Sequence, residues 1–428
     1  MLKMILAALR ATEIEEYIAI EEKVHTAELY FVQRDLDMPR SRDITGYRVK
    51  VYRDFVYKGE RMKGESEVKL FPGLTALEVQ AQLARAYEAA LYVRNKYFEL
   101  ASPSNETYAE PAGGNGDTAE ELALRAAGVL FGADNDPVSF INSAEIFGSV
   151  VDVRIVTSTG TDVKYTKRKV KGEYVVQCRE PRDVEQYFDF DYAPGNIDGL
   201  GTAVSEALTT VRDRAMADTP PADGIYDVIL SGKHLKTLLS YYTDRSNASM
   251  IYPGYSDWAP GTPVQGDDIS GEKLSVTVFP DSPFSDEGIF MPERKLITEG
   301  VLELLHGYTR QCRYIGAEPT GTYRNIRLDC GDTGFDNMKQ GCLYPVSFSD
   351  FQTDSLSGFF GGEIRLAYLF TENGVKILTG GSVNGNISEV QGSMTFSKER
   401  YSDSSYEGPM AVRLKNVRVA GGSGDASA

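Results

Sequence analysis

The chain has few of the residue types that build metal centres and redox sites. Its 428 residues include three histidines, four cysteines and one tryptophan. The cysteines are far apart and form no C-x-x-C pair, so their spacing predicts neither a zinc knuckle nor a redox motif. We expect reduced, mostly buried thiols in a cytosolic protein. The four are Cys178, Cys312, Cys330 and Cys342.

The chain also lacks any dense run of lysine or arginine, and its formal net charge is -17. A surface that binds nucleic acid needs clustered positive charge to neutralise phosphates. The sequence therefore argues against direct binding of DNA or RNA.

Long apolar runs are absent near the N-terminus. The apolar stretch from Met4 to Leu9 is six residues long and ends at Arg10. A signal-peptide core or a membrane span needs a longer run. We expect a cytoplasmic protein that does not enter the membrane.

Motifs for nucleophilic catalysis are missing too. The sequence contains no G-x-S-x-G elbow, and no cysteine lies in a recognisable cysteine-peptidase context. The sequence gives serine or cysteine catalysis only weak support, although residues distant in sequence can still meet in space.

The first hundred residues predict a small α+β domain. Residues 25–34 and 46–57 alternate apolar and polar side chains, as half-buried strands do. Thr75 and Glu78 form a capping-box signature ahead of a helix with one apolar face. We assign residues 1–101 to this domain and expect a sandwich of helices on a sheet.

A middle domain is predicted over residues 118–221, after a linker rich in Pro, Gly, Ser and Asn. Thr118 and Glu121 form a second capping box. Residues 150–179 read as a meander of strands with breaks at 158–160 and at 171–172. A following helix is expected to stop at Pro220-Pro221.

The remaining chain, residues 222–420, is predicted to be β-rich after one opening helix. Glu372-Asn373-Gly374 lies between two strand-like runs and predicts a tight hairpin, because Asn-Gly tolerates positive φ angles. We expect residues 421–428 to be a disordered tail. The fold class is therefore α+β.

Several stretches together resemble the TldD/PmbA family. Asp286-Glu287-Gly288 resembles its D-x-E-G turn and GVLELLHGYTR its G-V-L helix. PTGTYR resembles a T-G-N-x-x-R loop, with Thr322 in place of the usual Asn. The loop from Ser355 to Gly362, the TENG turn and GGSVNGNI resemble three further family segments. The likeness is clear from about residue 203 to 419 and weaker before that.

The resemblance implies a cytosolic metallopeptidase fold that trims peptides, in a family also described as modulators of DNA gyrase. In its active branch a pair of leucines precedes an H-E-x-x-x-H zinc motif, and a cysteine near the C-terminus is a further ligand. After Leu238-Leu239, this chain has Ser240, Tyr241 and Arg245 at those positions, and its last cysteine is Cys342. The sequence therefore resembles the inactive TldE/PmbA branch, and we expect no zinc.

The three histidines are expected to be structural. His234 precedes the family positions and is predicted in the first turn of the helix, although it remains the first substitute ligand to consider. His306 follows two leucines at a predicted helix end, where an imidazole can bond the last carbonyls. His25 lies in a predicted strand and has no partner motif.

Carboxylates and glycines supply the remaining candidates for a substrate cleft. Asp281, Asp286 and Glu287 lack the spacing of a calcium loop, so turn and cap duties explain them more simply. A peptide could add as a strand near Gly358 to Glu363 or at the TENG hairpin. The cleft candidates are His234, Asp286, Glu287, Gly358, Gly361, Gly362, Glu372 and Asn373.

The sequence thus predicts a zinc-less subunit that dimerises and lines a peptide cavity, with zinc expected only in an active homologous partner. The partner is a second copy of the chain or a TldD-like zinc peptidase. Two alternatives stay open: an active peptidase with substitute ligands or another nucleophile, and a binding or regulatory homodimer without proteolysis.

Overall fold

The computed structural model describes residues 1–108 and 116–421. Part of the predicted linker, residues 109–115, and the predicted tail beyond Gly421 lie outside these residues. The described residues of the first half form four α-helices and seven strands. These are α1 Leu2–Ala11, β1 Glu16–Val32, β2 Asp35–Tyr57, β3 Glu60–Leu70, α2 Ala76–Ala90, β4 Asn95–Lys96, α3 Ala119–Gly132, β5 Ser139–Thr157, β6 Asp162–Cys178, β7 Val184–Tyr192 and α4 Gly199–Met216.

All seven strands belong to one antiparallel sheet in the order β4-β3-β2-β1-β5-β6-β7. The centre of the sheet is the pairing of β1 with β5, which runs from Ile18 opposite Thr157 to Val32 opposite Ser143. The sheet therefore crosses the boundary that the sequence predicts between residues 101 and 118. Helices α1 and α2 pack on one half of the sheet, and α3 and α4 pack on the other.

Both predicted capping boxes are present. The backbone N–H of Thr75 donates to Glu78 Oε2 at 2.8 Å, and that of Thr118 donates to Glu121 Oε2 at 2.8 Å. The return bonds, from the N–H of each glutamate to the threonine hydroxyl, also form. Each box satisfies two donors that a helix start leaves free, and so fixes where α2 and α3 begin.

One predicted strand break is confirmed and another is wrong. The chain turns between β5 and β6 at residues 158–161, as predicted, but β6 runs without interruption through Lys171 and Gly172. Position 172 has room only for glycine, because neighbouring atoms approach its backbone closely. A Cβ atom there would lie 2.6 Å from Phe190 Cζ and closer still to the carbonyl oxygen of Glu145.

The second half of the chain is rich in strands, as predicted. Its helices are α5 Gly232–Arg245, α6 Ala248–Ile251, α7 Thr309–Tyr314, α8 Phe335–Met338 and α9 Ile387–Val390. Its strands are β8 Gly224–Ser231, β9 Val276–Phe279, β10 Arg294–Thr298, β11 Val301–Leu302, β12 Asn325–Leu328, β13 Cys342–Thr353, β14 Phe359–Thr371, β15 Gly374–Leu378, β16 Ser382–Asn386, β17 Thr395–Phe396, β18 Arg400–Ser402, β19 Tyr406–Pro409 and β20 Ala411–Ala420.

Five of these strands close into a barrel. Strand β13 pairs with β8 on one side and with β14 on the other, which completes the ring β13-β8-β20-β16-β14. A second sheet, in the order β11-β10-β9-β12-β19-β18, packs with it around one apolar core. Closure removes free strand edges from most of the barrel. The fold class is α+β, as the sequence predicts.

The C-terminal half docks on the face of the N-terminal sheet that the helices leave uncovered. Phe284 and Phe290 pack there against Ile18, Ile20 and Ile155. Ion pairs and hydrogen bonds surround this apolar contact. In one of them, Arg310 donates to Glu65 Oε1 at 3.0 Å. Within residues 1–108 and 116–421, none of the helices has both the length and the apolar character needed to cross a bilayer.

Candidate functional site

Helix α5 carries the positions that the resemblance singles out. It follows strand β8 directly, and its apolar side chains recur at the spacing of one helical face. Leu235, Leu238, Leu239 and Tyr242 are all buried in the C-terminal core, as predicted. This packing holds the helix firmly, so the opposite side of α5 presents its side chains in a fixed arrangement.

Ser240 uses its hydroxyl within the helix. Its Oγ atom donates to the carbonyl oxygen of Thr237 at 2.8 Å. Serine commonly forms such bonds back to the preceding turn of a helix. The Ser240 proton is therefore committed to the backbone, and a neutral hydroxyl is a poor ligand for zinc.

Tyr241 and Arg245 pack together with Trp258, the single tryptophan of the chain, and the Tyr241 ring is edge-on to Trp258. The Tyr241 and Trp258 ring centroids are 5.8 Å apart, and Arg245 Cζ lies 5.2 Å from the Trp258 centroid. The guanidinium also donates to Asp257 Oδ1 at 3.2 Å and more weakly to the Tyr255 carbonyl. Only 13% of the Arg245 side chain is exposed. We call Tyr241, Arg245 and Trp258 the guanidinium cluster.

These side chains do not fit a zinc ion. Burial raises the pKa of the Tyr241 phenol, against a smaller opposite effect of Arg245, so the phenol is neutral near pH 7. Zinc needs deprotonated N or S donors or carboxylates. Ser240, Tyr241 and Arg245 offer two neutral oxygens and a permanent cation. Over the described chain, no group of three or more His, Cys, Asp and Glu side chains is placed to hold a metal.

A glycine loop lies beside the guanidinium cluster. Gly358 has φ 75°, and a Cβ atom there would lie 3.0 Å from Asn386 Oδ1 and 3.6 Å from Tyr241. Ser355 Oγ, in the same loop, donates to Asp244 Oδ2 of α5 at 2.7 Å. Of the predicted cleft residues, Gly358 is thus brought next to the family positions on α5. Gly361 instead contacts a backbone carbonyl of β16, and Gly362 contacts a backbone carbonyl of β13.

The backbone near Gly358 is not available for strand addition, contrary to the hypothesis from the sequence. Residues 359–363 of β14 pair with β16 on one side and residues 360–362 pair with β13 on the other. Barrel closure is the reason, because it leaves β14 no free edge. Strand β15 pairs only with β14 and is the edge of this sheet among the described strands.

The TENG hairpin forms as predicted, with Glu372 and Asn373 as the two exposed loop residues. Of Asn373 and Gly374, only Gly374 has a positive φ angle, 116°. The hairpin ends the strand that begins at Phe359, and a strand of this length extends roughly 40 Å. The structure therefore does not bring Glu372 and Asn373 together with Gly358.

His234 lies in the first turn of α5, as predicted, and is buried against aromatic rings. Its ring is edge-on to Phe348 at 4.7 Å and to Phe351 at 5.6 Å between centroids. Burial, with a smaller contribution from Lys233, lowers the pKa of His234 to about 3. The imidazole is therefore neutral and serves as an aromatic packing group.

His306 joins two segments of the C-terminal domain. Its Nε2 atom donates to the Thr243 carbonyl at 2.9 Å, and its Nδ1 atom accepts from the Tyr323 N–H at 3.2 Å. Burial lowers its pKa to about 4. The predicted helix before His306 is wrong, because Val301–Leu302 is a strand. The carbonyl that His306 bonds belongs to the last turn of α5.

The acidic candidates lie between the two halves of the chain. Asp281 pairs with Lys167 and Asp286 with Arg48, both at 3.1 Å. Glu287 Oε2 accepts from the backbone N–H and the hydroxyl of Thr309, at 2.8 and 2.7 Å. Glu287 thus caps α7, the kind of duty that the sequence suggests. Burial raises the pKa of Glu287, and the two bonds from Thr309 oppose this.

His25 has partners that the sequence does not reveal. Its Nδ1 atom lies 2.8 Å from Asp43 Oδ1 of β2, and its Nε2 atom lies 2.8 Å from Glu120 Oε1 of α3. Only the protonated ring can donate to both carboxylates. Hydrogen bonds from Glu120 and Asp43 raise the pKa of His25 above 6.5.

We expect this link to weaken at alkaline pH. Because the folded-state pKa is raised, the stabilisation is complete below about pH 6.5 and is lost as pH rises through the folded pKa. Thermal melts of wild type and His25→Gln between about pH 6 and pH 8.5 measure the effect. At the acidic end the wild type should melt at a higher temperature than His25→Gln, and this difference should shrink as the pH rises. The difference should be small because His25 is partly exposed. A difference in melting temperature that stays the same at every pH would contradict the link through a protonated His25.

The structure defines the chain as an α+β protein, and its C-terminal half matches a metallopeptidase-related domain family. Residues 223–421 match the family model for the PmbA/TldA metallopeptidase C-terminal domain. Residues 223–421, a little under half of the chain, therefore belong to the TldD/PmbA family. None of the curated proteins compared with the chain matches it.

Solved structures show the same fold over the whole chain. TldE from Thermococcus kodakarensis aligns with TM-score 0.78 and 15% identity, over 98% of this chain and 100% of that one. Candidate modulators of DNA gyrase from Thermotoga maritima and Bacteroides thetaiotaomicron each align with TM-score 0.75 and 15% identity, over 98% of this chain. They are covered over 99% and 98% of their own lengths.

Proposed function

We propose that this chain is a zinc-less subunit of the TldD/PmbA family that dimerises and forms part of a peptide cavity. The observation that carries the proposal is the Arg245 guanidinium, which is stacked on Trp258 and paired with Asp257 on the helix where the active branch binds zinc. The partner is a second copy or a TldD-like zinc peptidase. Only the zinc peptidase supplies a catalytic metal, and the assembly that contains it matures peptides in the cytoplasm.

Electrostatics support this reading. An arginine stays protonated at any physiological pH. A doubly charged ion placed roughly 5 Å from a guanidinium is repelled by about 7 kcal/mol at an effective dielectric constant of about 20. Cation-π contact with Trp258 adds about 1 kcal/mol that a competing ion would have to disrupt. The guanidinium cluster therefore opposes a metal as well as failing to coordinate it.

The supporting framework of the helix is nevertheless retained. Leucines hold α5 in the core, His306 bonds a carbonyl of its last turn, and the Gly358 loop is tied to Asp244. These contacts fix the positions of the helix and the loop relative to each other. A fixed surface of this kind supports a role in forming a cavity wall.

The proposal is tested by mixing experiments. Cleavage of an unstructured peptide is measured with this chain alone, with a zinc-bearing homologue from the same cell alone, and with the two together. We expect no cleavage by this chain, and faster cleavage or a changed cleavage pattern in the mixture. Size-exclusion chromatography with light scattering follows the complex directly.

Matched variants separate a specific role of the surface beside α5 from nonspecific association between the two proteins. Gly358→Val, in the loop beside the cluster, should reduce the activity of the mixture, whereas Val375→Ser on the distant hairpin should not. Zinc-dependent cleavage by this chain alone would contradict the zinc-less assignment. A stable homodimer that has no effect on any zinc-bearing homologue would contradict the catalytic partnership.

A further inference from the structure

A partly open cavity of about 190 Å³ lies between the N-terminal sheet and the C-terminal domain. Strands β1, β2 and β3 form one side of it, and the turn at Asp286-Glu287 with the start of α7 forms the other. Ile18 and Ile20, which are 6% and 4% exposed, contribute a small apolar part of its lining. Pockets for drug-sized ligands measure roughly 300–1,000 Å³, so this cavity suits a smaller molecule.

The rim of the cavity is built from ion pairs. Arg310 donates to Glu65 Oε1 at 3.0 Å and to Asn95 Oδ1 at 2.6 Å. Arg48 donates to Asp286 Oδ2 at 3.1 Å. Because both pairs join the N-terminal sheet to the C-terminal domain, they hold the cavity walls in place before any ligand arrives.

Groups of both charges inside the cavity retain free bonding capacity. Glu287 uses only Oε2 for Thr309, and its Oε1 accepts no hydrogen bond from the described part of the chain. Glu67 has no ion pair within residues 1–108 and 116–421. On the positive side, Lys50 pairs with Glu65 only at 3.8 Å, and an ammonium has three donors. The amide of Gln311 also lines the cavity.

This distribution does not suit an ion of one sign. An anion would lie beside Glu67 and Glu287, and a simple cation would lie beside Arg48 and Lys50. A ligand with an ammonium and a carboxylate a few ångströms apart satisfies both sets at once. We propose that this cavity binds a single α-amino acid with an apolar side chain, its ammonium at Glu287 and its carboxylate at Lys50 and Gln311.

This inference holds whether or not the chain acts as a zinc-less subunit. The ligand contacts both halves of the molecule, so binding should stabilise their docking and raise the melting temperature. The side chain of the amino acid lies on Ile18 and Ile20. Contact with apolar walls favours leucine or valine over polar amino acids of similar size.

Isothermal titration of the full chain tests the proposal with L-leucine, N-acetyl-L-leucine and L-leucinamide. The two derivatives lack the ammonium and the free carboxylate, respectively. We expect binding of L-leucine with a raised melting temperature, and affinity at least about tenfold weaker for each derivative. Equal binding of all three, or no binding of L-leucine, would overturn the proposal.

Substitutions locate the site. Glu287→Gln keeps an acceptor for Thr309 but loses the charge, and Lys50→Met loses the ammonium. Each should weaken L-leucine binding about tenfold, whereas Glu60→Gln, at the exposed β2–β3 turn, should not change it. Wild-type affinity in folded Glu287→Gln and Lys50→Met would also overturn the assignment. The derivative series uses only the wild-type chain and decides the case if a variant does not fold.

Discussion

Replacing Gly172 by alanine is expected to destabilise the N-terminal sheet by about 3 kcal/mol. The added methyl group would meet the Phe190 ring at 2.6 Å and come closer still to the Glu145 carbonyl oxygen. That oxygen belongs to the ladder between β5 and β6, so it can retreat only by breaking the register. Urea unfolding followed by far-ultraviolet circular dichroism measures the loss as a lower midpoint.

Gly128→Ala is the matched control. Gly128 lies within α3, and a Cβ atom there meets nothing within 4 Å. Alanine favours a helix interior over glycine by about 1 kcal/mol, so this variant should be slightly more stable than wild type. A Gly172→Ala variant as stable as wild type would show that the chain turns at Lys171-Gly172, as its sequence first suggests, and would contradict a continuous β6.

Replacing Leu238 by alanine should cost about 3 kcal/mol in the C-terminal domain. Leu238 is fully buried on the packing face of α5, and its removal leaves a cavity in the barrel core. Trp258 is the only tryptophan and contacts Tyr241 and Tyr242 of the same helix. Its fluorescence therefore reports the unfolding of this region in urea.

Ser240→Ala, two residues along, should change the stability by less than about 0.5 kcal/mol. Its hydroxyl bonds only the backbone of its own helix, and alanine is a better helix former than serine. The contrast between the two stability changes tests whether α5 contributes to the fold through its packing face, and not through the positions where the family motif places metal ligands. If Ser240→Ala were as damaging as Leu238→Ala, the serine would have a role that this geometry does not show.

Local signals in the sequence predicted local structure well. The capping boxes at Thr75 and Thr118 and the hairpin at Glu372-Asn373-Gly374 depend on residues within a few positions of one another. The packing face of α5 follows from periodicity alone. Each of these features is encoded by residues close to where it forms, which is why the local sequence predicts it.

Features that depend on distant partners could not be read in the same way. Gly172 resembles a turn residue until β5 and Phe190 are placed beside it. His25 has no motif, yet the fold brings Asp43 and Glu120 to its two nitrogens. Strand addition at β14 was a reasonable hypothesis for an isolated strand, and barrel closure excludes it.

The candidate site was predicted only in part. Resemblance located Ser240, Tyr241 and Arg245, and their chemistry alone argued against zinc. It did not reveal that Trp258 and Asp257 fix the Arg245 guanidinium, since these residues lie on the loop after α6. Trp258 is the one tryptophan of the chain, and that rarity is the only signal for it in the sequence.

Zinc content tests the central claim most directly. The chain is purified without chelators, and a second sample is stripped and reloaded with zinc, with a zinc-bearing TldD-like homologue treated in parallel. Elemental mass spectrometry should find close to no zinc in either sample of this chain and stoichiometric zinc in the homologue. One zinc per chain would contradict the account, because the guanidinium cluster would then not exclude a metal and ligands outside the family motif would have to exist.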